Sequence, residues 1–150
     1  AVKYADLSKN RTSDYLFDWS SMLSFEGNTA PYLMYAYARI KTLLAKQAAD
    51  TDGNIRFPES VALAPEEKAL LLKSLQLAET IDAVAQDCFP NTLSNYLYEL
   101  SASFMRFYEA CPIQGTDAAT RANRLSLCIL ASEALKQGLD LLGIETLERM

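Results

Sequence analysis

Apolar positions recur at helical spacing over four long stretches of this chain. In the first, Leu33, Tyr37, Ile40 and Leu44 fall on one stripe of a helix advancing about 100° per residue. That helix is expected from about Thr29 to Ala48, with Asn28 or Thr29 as its N-cap and Pro31 just inside its start. Asp50-Thr51-Asp52-Gly53-Asn54 ends it, and a loop follows through Pro58 with Ile55 and Phe57 tucked against the bundle. Ala64-Pro65-Glu66-Glu67 opens the second helix, with acids at the positive end of the dipole. Leu70, Leu71, Leu75, Ala78, Ile81, Ala85 and Phe89 carry it to Pro90. Asn91 or Thr92 is the expected cap of the third helix, whose apolar face is Leu93, Leu97, Leu100, Phe104, Phe107, Tyr108 and Cys111. Pro112 and Gly115 end it. Asp117 caps the fourth, which runs through Leu125, Cys128, Leu135, Leu139 and Leu142 to a stop at Gly143. Four amphipathic helices joined by short breaks predict an all-α bundle.

Residues 1–27 are less regular. Residues 1–8 read as the end of a helix and Ser8-Lys9-Asn10-Arg11 as a polar loop. The alternation from Asp14 to Asp18 predicts a short strand, and Trp19 to Phe25 a short helix ended by Gly27. The expected division is a junction segment over 1–27 and a helical domain over 28–150.

The first long helix carries a second stripe. Tyr32, Tyr35, Arg39 and Lys46 centre roughly 140° from the apolar one. Flat aromatic faces beside a guanidinium and an ammonium suit unstacked nucleic-acid bases and their phosphates. Periodicity alone leaves open the plainer alternative, amphipathic tyrosines packed beneath neighbouring loops. Tyr96 sits at the edge of the third helix's apolar stripe and reads as a core-boundary aromatic, Tyr98 as a surface tyrosine.

Composition narrows the chemistry. There is no histidine, which removes Ser-His-Asp and Cys-His catalysis and histidine metal sites. The three cysteines, Cys88, Cys111 and Cys128, are widely spaced and odd in number, so they predict reduced thiols and no metal site. Asp14 and Asp18 read as solvated charges and caps, and no catalytic residue is expected. No apolar run approaches the ~20 residues of a membrane span, and no signal peptide is visible. A start at Ala1, inside a motif, suggests a piece of a longer polypeptide. The net charge of −5 argues against a protein that coats phosphate backbones. The charge is uneven: residues 1–50 hold six Lys/Arg against five Asp/Glu, and 51–150 hold eight against fourteen. Local, base-directed RNA recognition fits that balance better than nonspecific binding.

The stretch Glu26-Gly27-Asn28-Thr29-Ala30-Pro31-Tyr32-Leu33-Met34-Tyr35-Ala36-Tyr37-Ala38-Arg39 closely resembles a segment of bacterial arginyl-tRNA synthetases. The likeness extends upstream through residues 1–12 and 14–19, and downstream to Leu141-Leu142-Gly143-Ile144-Glu145-Thr146-Leu147-Glu148-Arg149-Met150, which looks like the family's C-terminus. It covers the chain end to end and departs mainly between Asn54 and Pro65. The resemblance implies the all-α anticodon-binding helical bundle of a class I aminoacyl-tRNA synthetase, preceded by the end of the junction with the catalytic core. It implies cytoplasmic localisation, arginine tRNA and the catalytic domain of the same polypeptide as partners, and neither membrane nor DNA binding. It also implies that ATP with magnesium serves the parent enzyme, and that this piece holds no cofactor and no catalytic site. Residues matching Tyr32, Tyr35 and Arg39 face the anticodon loop in the family. Tyr96 matches a tyrosine that approaches it, and the final residues, Arg149 and Met150, fold back toward it. Glu133-Ala134-Leu135-Lys136 occupies the place of the Asp-Ala-Leu-Arg motif that names the domain, and a packing role is expected for it. The competing expectation is a helical protein-interaction module that binds no RNA.

Overall fold

Every regular element among the described residues is a helix. The computed structural model describes residues 1–47, 54–57 and 62–148. In chain order the helices are α1 (Val2–Leu7), α2 (Trp19–Met22), α3 (Ala30–Lys46), α4 (Pro65–Leu75), α5 (Leu77–Asp87), α6 (Pro90–Ala110) and α7 (Ala118–Leu141). Helix α6 is the hub, packing against α1, α3, α4, α5 and α7. Its Leu93, Leu97, Leu100, Phe104 and Phe107 meet Leu33, Tyr37 and Ile40 of α3, Leu70 of α4, and Leu125, Cys128, Leu135 and Leu139 of α7 in one core. Gly138 brings α7 close to α6: a Cβ there would stand 2.4 Å from Leu97 Cδ2.

Local chemistry sets the helix ends. Thr29 caps α3 by accepting from the Tyr32 N–H, and Asp117 caps α7 by accepting from the Thr120 N–H. Asn28, the other candidate cap, instead links α1 to α6. Its Oδ1 accepts from the Tyr4 hydroxyl at 2.6 Å, and its Nδ2 donates to Asn95 Oδ1 at 2.9 Å. Helix α7 closes in a Schellman motif, with Gly143 at φ +66°, its N–H bonded to the Asp140 carbonyl and the Ile144 N–H to that of Leu139.

Four expectations change. Ile55 and Phe57 are each 40% exposed and not tucked against the bundle, the segment meeting α7 instead through the Arg56 backbone and Ser126 Oγ. The stretch from Asp14 to Asp18 is irregular, not a strand. A lone strand would have had no edge to pair with, and Asp18 instead caps α2 through the Ser20 and Ser21 N–H groups. Helix α6 begins at Pro90 without a side-chain cap, ahead of Asn91 and Thr92. The expected single helix from Pro65 to Phe89 is two, broken at Gln76. No glycine or proline marks that break. Ser74 Oγ back-bonds to the Leu70 carbonyl, a contact that bends helices, and the Tyr96 hydroxyl donates to the Ser74 carbonyl at 3.3 Å. A continuous helix would have used that carbonyl internally.

Candidate nucleic-acid interface

The two-stripe pattern of α3 is realised in space. Leu33, Tyr37 and Ile40 are buried, while Tyr35 is 36% exposed and Tyr32 and Arg39 are half-buried. Helix α3 runs beside α6, and α6 supplies partners to the outer stripe. The Tyr98 ring lies 5.6 Å from that of Tyr32, and Arg39 Cζ stands 4.5 Å over the Tyr108 ring and 5.7 Å over the Tyr35 ring. Arg39 also donates to the Tyr35 hydroxyl, one turn earlier on the same helix. The result is a band of four tyrosines across two helices, with Arg39 at one end and the exposed Arg106 near Tyr32.

The electrostatics keep the cation charged. Partial burial would lower the Arg39 pKa, but Tyr108 and Tyr35 outweigh it and the net direction is upward. The guanidinium is therefore a permanent positive charge with planar faces, oriented before any ligand arrives. Burial raises the Tyr32 phenol, with Tyr98 adding to the effect, so that ring stays neutral.

Beside Arg39 opens a groove of about 650 Å³. Tyr35, Arg39, Lys46 and Gln47 of the α3 side line one wall, and Tyr108 and Gln114 contribute to the other. It offers aromatic faces, two cationic side chains and two amides. That set can stack a flat ring, hold a phosphate and donate or accept at a base edge.

Not every expected residue joins this surface. Tyr96 is 4% exposed and faces α4, where its hydroxyl is occupied by Ser74 and Lys73 Nζ lies 5.6 Å over its ring. It presents no free face for stacking. Arg149 and Met150 lie outside the described residues. The nearby Glu148 pairs with Lys41 at 3.5 Å, which carries the C-terminal stretch back against α3. Sequence reading missed Tyr108 and Tyr98. Tyr108 shares the apolar periodicity of its helix, yet it lies half-exposed at the edge of that face, where a phenol meets water. In Glu133-Ala134-Leu135-Lys136, the two middle residues are buried and the outer two exposed, with Lys136 bonded to Asp140.

Comparisons with known proteins agree on one kind of molecule. Residues 33–150 match the model of the DALR anticodon binding domain. An arginine–tRNA ligase from Colwellia psychrerythraea is 58% identical over all of this chain, which covers 25% of that protein. One from Pseudoalteromonas translucida is 53% identical over all of the chain and 26% of the relative. Among solved structures, the arginyl-tRNA synthetase of Thermus thermophilus superposes with a TM-score of 0.89 at 32% identity, over 99% of this chain and 26% of that one. The chain thus spans about a quarter of the length of the curated relatives it matches.

Proposed function

The chain belongs to the DALR anticodon-binding domain family, and from that premise we propose that it holds the anticodon loop of arginine tRNA for an arginine–tRNA ligase. The carrying observation is the α3–α6 band. Tyr35 and Arg39 stand exposed or half-exposed on the polar side of α3, with Tyr108 across the groove and none of the three consumed by the core. Unpaired loop bases stack on the rings, while Arg39, Lys46 and Arg106 engage phosphates or base edges. Tyr32 contributes as the ring packed against Tyr98. Arg149 and Met150 complete the site on resemblance alone. An acidic protein with so local a cationic patch reads the loop rather than coating the backbone.

The parent enzyme in this reading attaches arginine to its tRNA with ATP, and this chain supplies recognition and no chemistry. Residues 1–27 are the junction and 28–150 the anticodon domain. The junction carries Leu16, 94% exposed, with Phe17, Trp19, Leu23 and Phe25 all more than half exposed. So dense an apolar surface fits a packing partner, here the catalytic domain of the same polypeptide. No helix among the described residues is long and apolar enough to cross a membrane, and the expected location is the cytoplasm.

The test is tRNA affinity of two variants in the full-length protein. Tyr35→Ala should weaken binding of arginine tRNA by roughly 1–3 kcal/mol through lost stacking. Arg39→Ala should weaken it too and flatten its salt dependence if the contact is to phosphate. Neither should alter arginine activation. Unchanged affinity in both variants would make the band packing surface and favour a protein-interaction module.

A further inference from the structure

The groove has a wall that neither stripe of α3 explains. After α6 the chain turns through residues 111–116, and Pro112, Ile113 and Gln114 of this turn face the groove. Within the turn, Thr116 Oγ1 donates to the Ile113 carbonyl at 2.8 Å. Cys111 and Ile113 sink into the core, Arg121 Nη2 of α7 donates to the Thr116 carbonyl at 3.3 Å, and a further tie from α7 holds the start of the turn. Arg124 donates through Nη1 to the Pro112 carbonyl and through Nε to Glu67 Oε1 at 2.6 Å. Glu67 is 1% exposed, and its other oxygen accepts from the Ala64 N–H at 2.7 Å. One buried carboxylate thereby fixes the start of α4 and the guanidinium that grips the turn. A largely buried ion pair is a costly way to gain stability, because desolvation offsets much of the attraction. A pair of this kind is better placed to set geometry.

We infer that Glu67 and Arg124 are positioning residues for RNA binding: they lock the 111–116 turn so that the groove beside Arg39 and Tyr108 is open and shaped before the anticodon loop arrives. Arg124 is largely covered, so it acts through the Pro112 carbonyl and not on the RNA. The inference rests on the anticodon reading of the groove.

Arg124→Lys separates the two tasks. A lysine ammonium can still pair with Glu67, but it lacks the fork that reaches Pro112 at the same time. In the full-length protein, measured well below the melting temperature, Arg124→Lys should bind arginine tRNA about five- to tenfold more weakly. Its salt dependence should match the unmodified protein's, because no phosphate contact is lost. Leu93→Ala, a core truncation at the far end of α6, should lose stability and keep its affinity. Thr116→Val loosens the same turn without touching the ion pair and should weaken binding about two- to threefold. It decides the matter if Arg124→Lys does not fold. Normal affinity in a folded Arg124→Lys, or in Thr116→Val should that variant have to decide, overturns the inference, as does a loss in Leu93→Ala equal to that in Arg124→Lys. If Tyr35→Ala weakens binding while Arg124→Lys does not, only the positioning role fails. If neither does, the anticodon reading itself fails.

Discussion

A guanidinium above two phenol rings is a different ligand from a guanidinium on a flexible stem in water. Arg39 has already surrendered part of its rotamer freedom to Tyr35 and Tyr108, so less would be lost on ordering by the RNA proposed to bind it. Glu67 shows the same logic in a buried setting. Its carboxylate serves both an amide and an arginine, and truncation takes that acceptor from both, leaving Arg124 the Pro112 carbonyl. Glu67→Ala should therefore destabilise the fold by about 3 kcal/mol, read as a lower urea midpoint at unchanged slope. A loss under about 1 kcal/mol would mean that water replaces the carboxylate freely, and that the pair is not a structural anchor.

Between elements, the break from α4 to α5 shows where the sequence was opaque. Its periodicity runs unbroken from Leu70 to Phe89, and every residue around Gln76 tolerates a helix. What divides it is tertiary: Tyr96 of α6 takes the Ser74 carbonyl. The apolar stripes of α3, α6 and α7, the Thr29 and Asp117 caps and the Gly143 stop were legible because each is written within a few residues, whereas the stripe expected from Leu70 to Phe89 leaves Leu75 63% exposed. So was the polar stripe of α3. The groove was not, because Tyr108, Gln114 and the Arg124 tie reach it from three parts of the chain. Tyr96 belongs with the break more than with the surface. Burial pushes its phenol up to about 12 from an ordinary value of 10. A raised acid pKa favours the folded state while the phenol is neutral. The contribution is therefore complete below pH 10 and is lost as pH rises through about 12. Tyr96→Phe should cost about 1 kcal/mol at neutral pH, shallow the alkaline loss of stability, and leave tRNA affinity unchanged. Weakened RNA binding at unchanged stability would return Tyr96 to the binding surface.

At the scale of the whole molecule, the bundle is a rigid frame for one small cationic-aromatic patch on an otherwise acidic body. Helix α6 makes this possible by spending one face on the core and one edge, through Tyr98, Arg106 and Tyr108, on the patch. At the other end, α1 is tied in through Lys3, which donates to the Gly143 carbonyl at 2.8 Å, and through the buried Tyr4. Filter binding tests the central claim most directly. The full-length protein is presented with arginine tRNA and with the same tRNA carrying exchanged anticodon bases. If the α3–α6 band reads the loop, the exchanged tRNA binds more weakly at every salt concentration, and Tyr35→Ala removes most of the difference. Equal affinity for the two tRNAs, unaffected by Tyr35→Ala, would contradict the account.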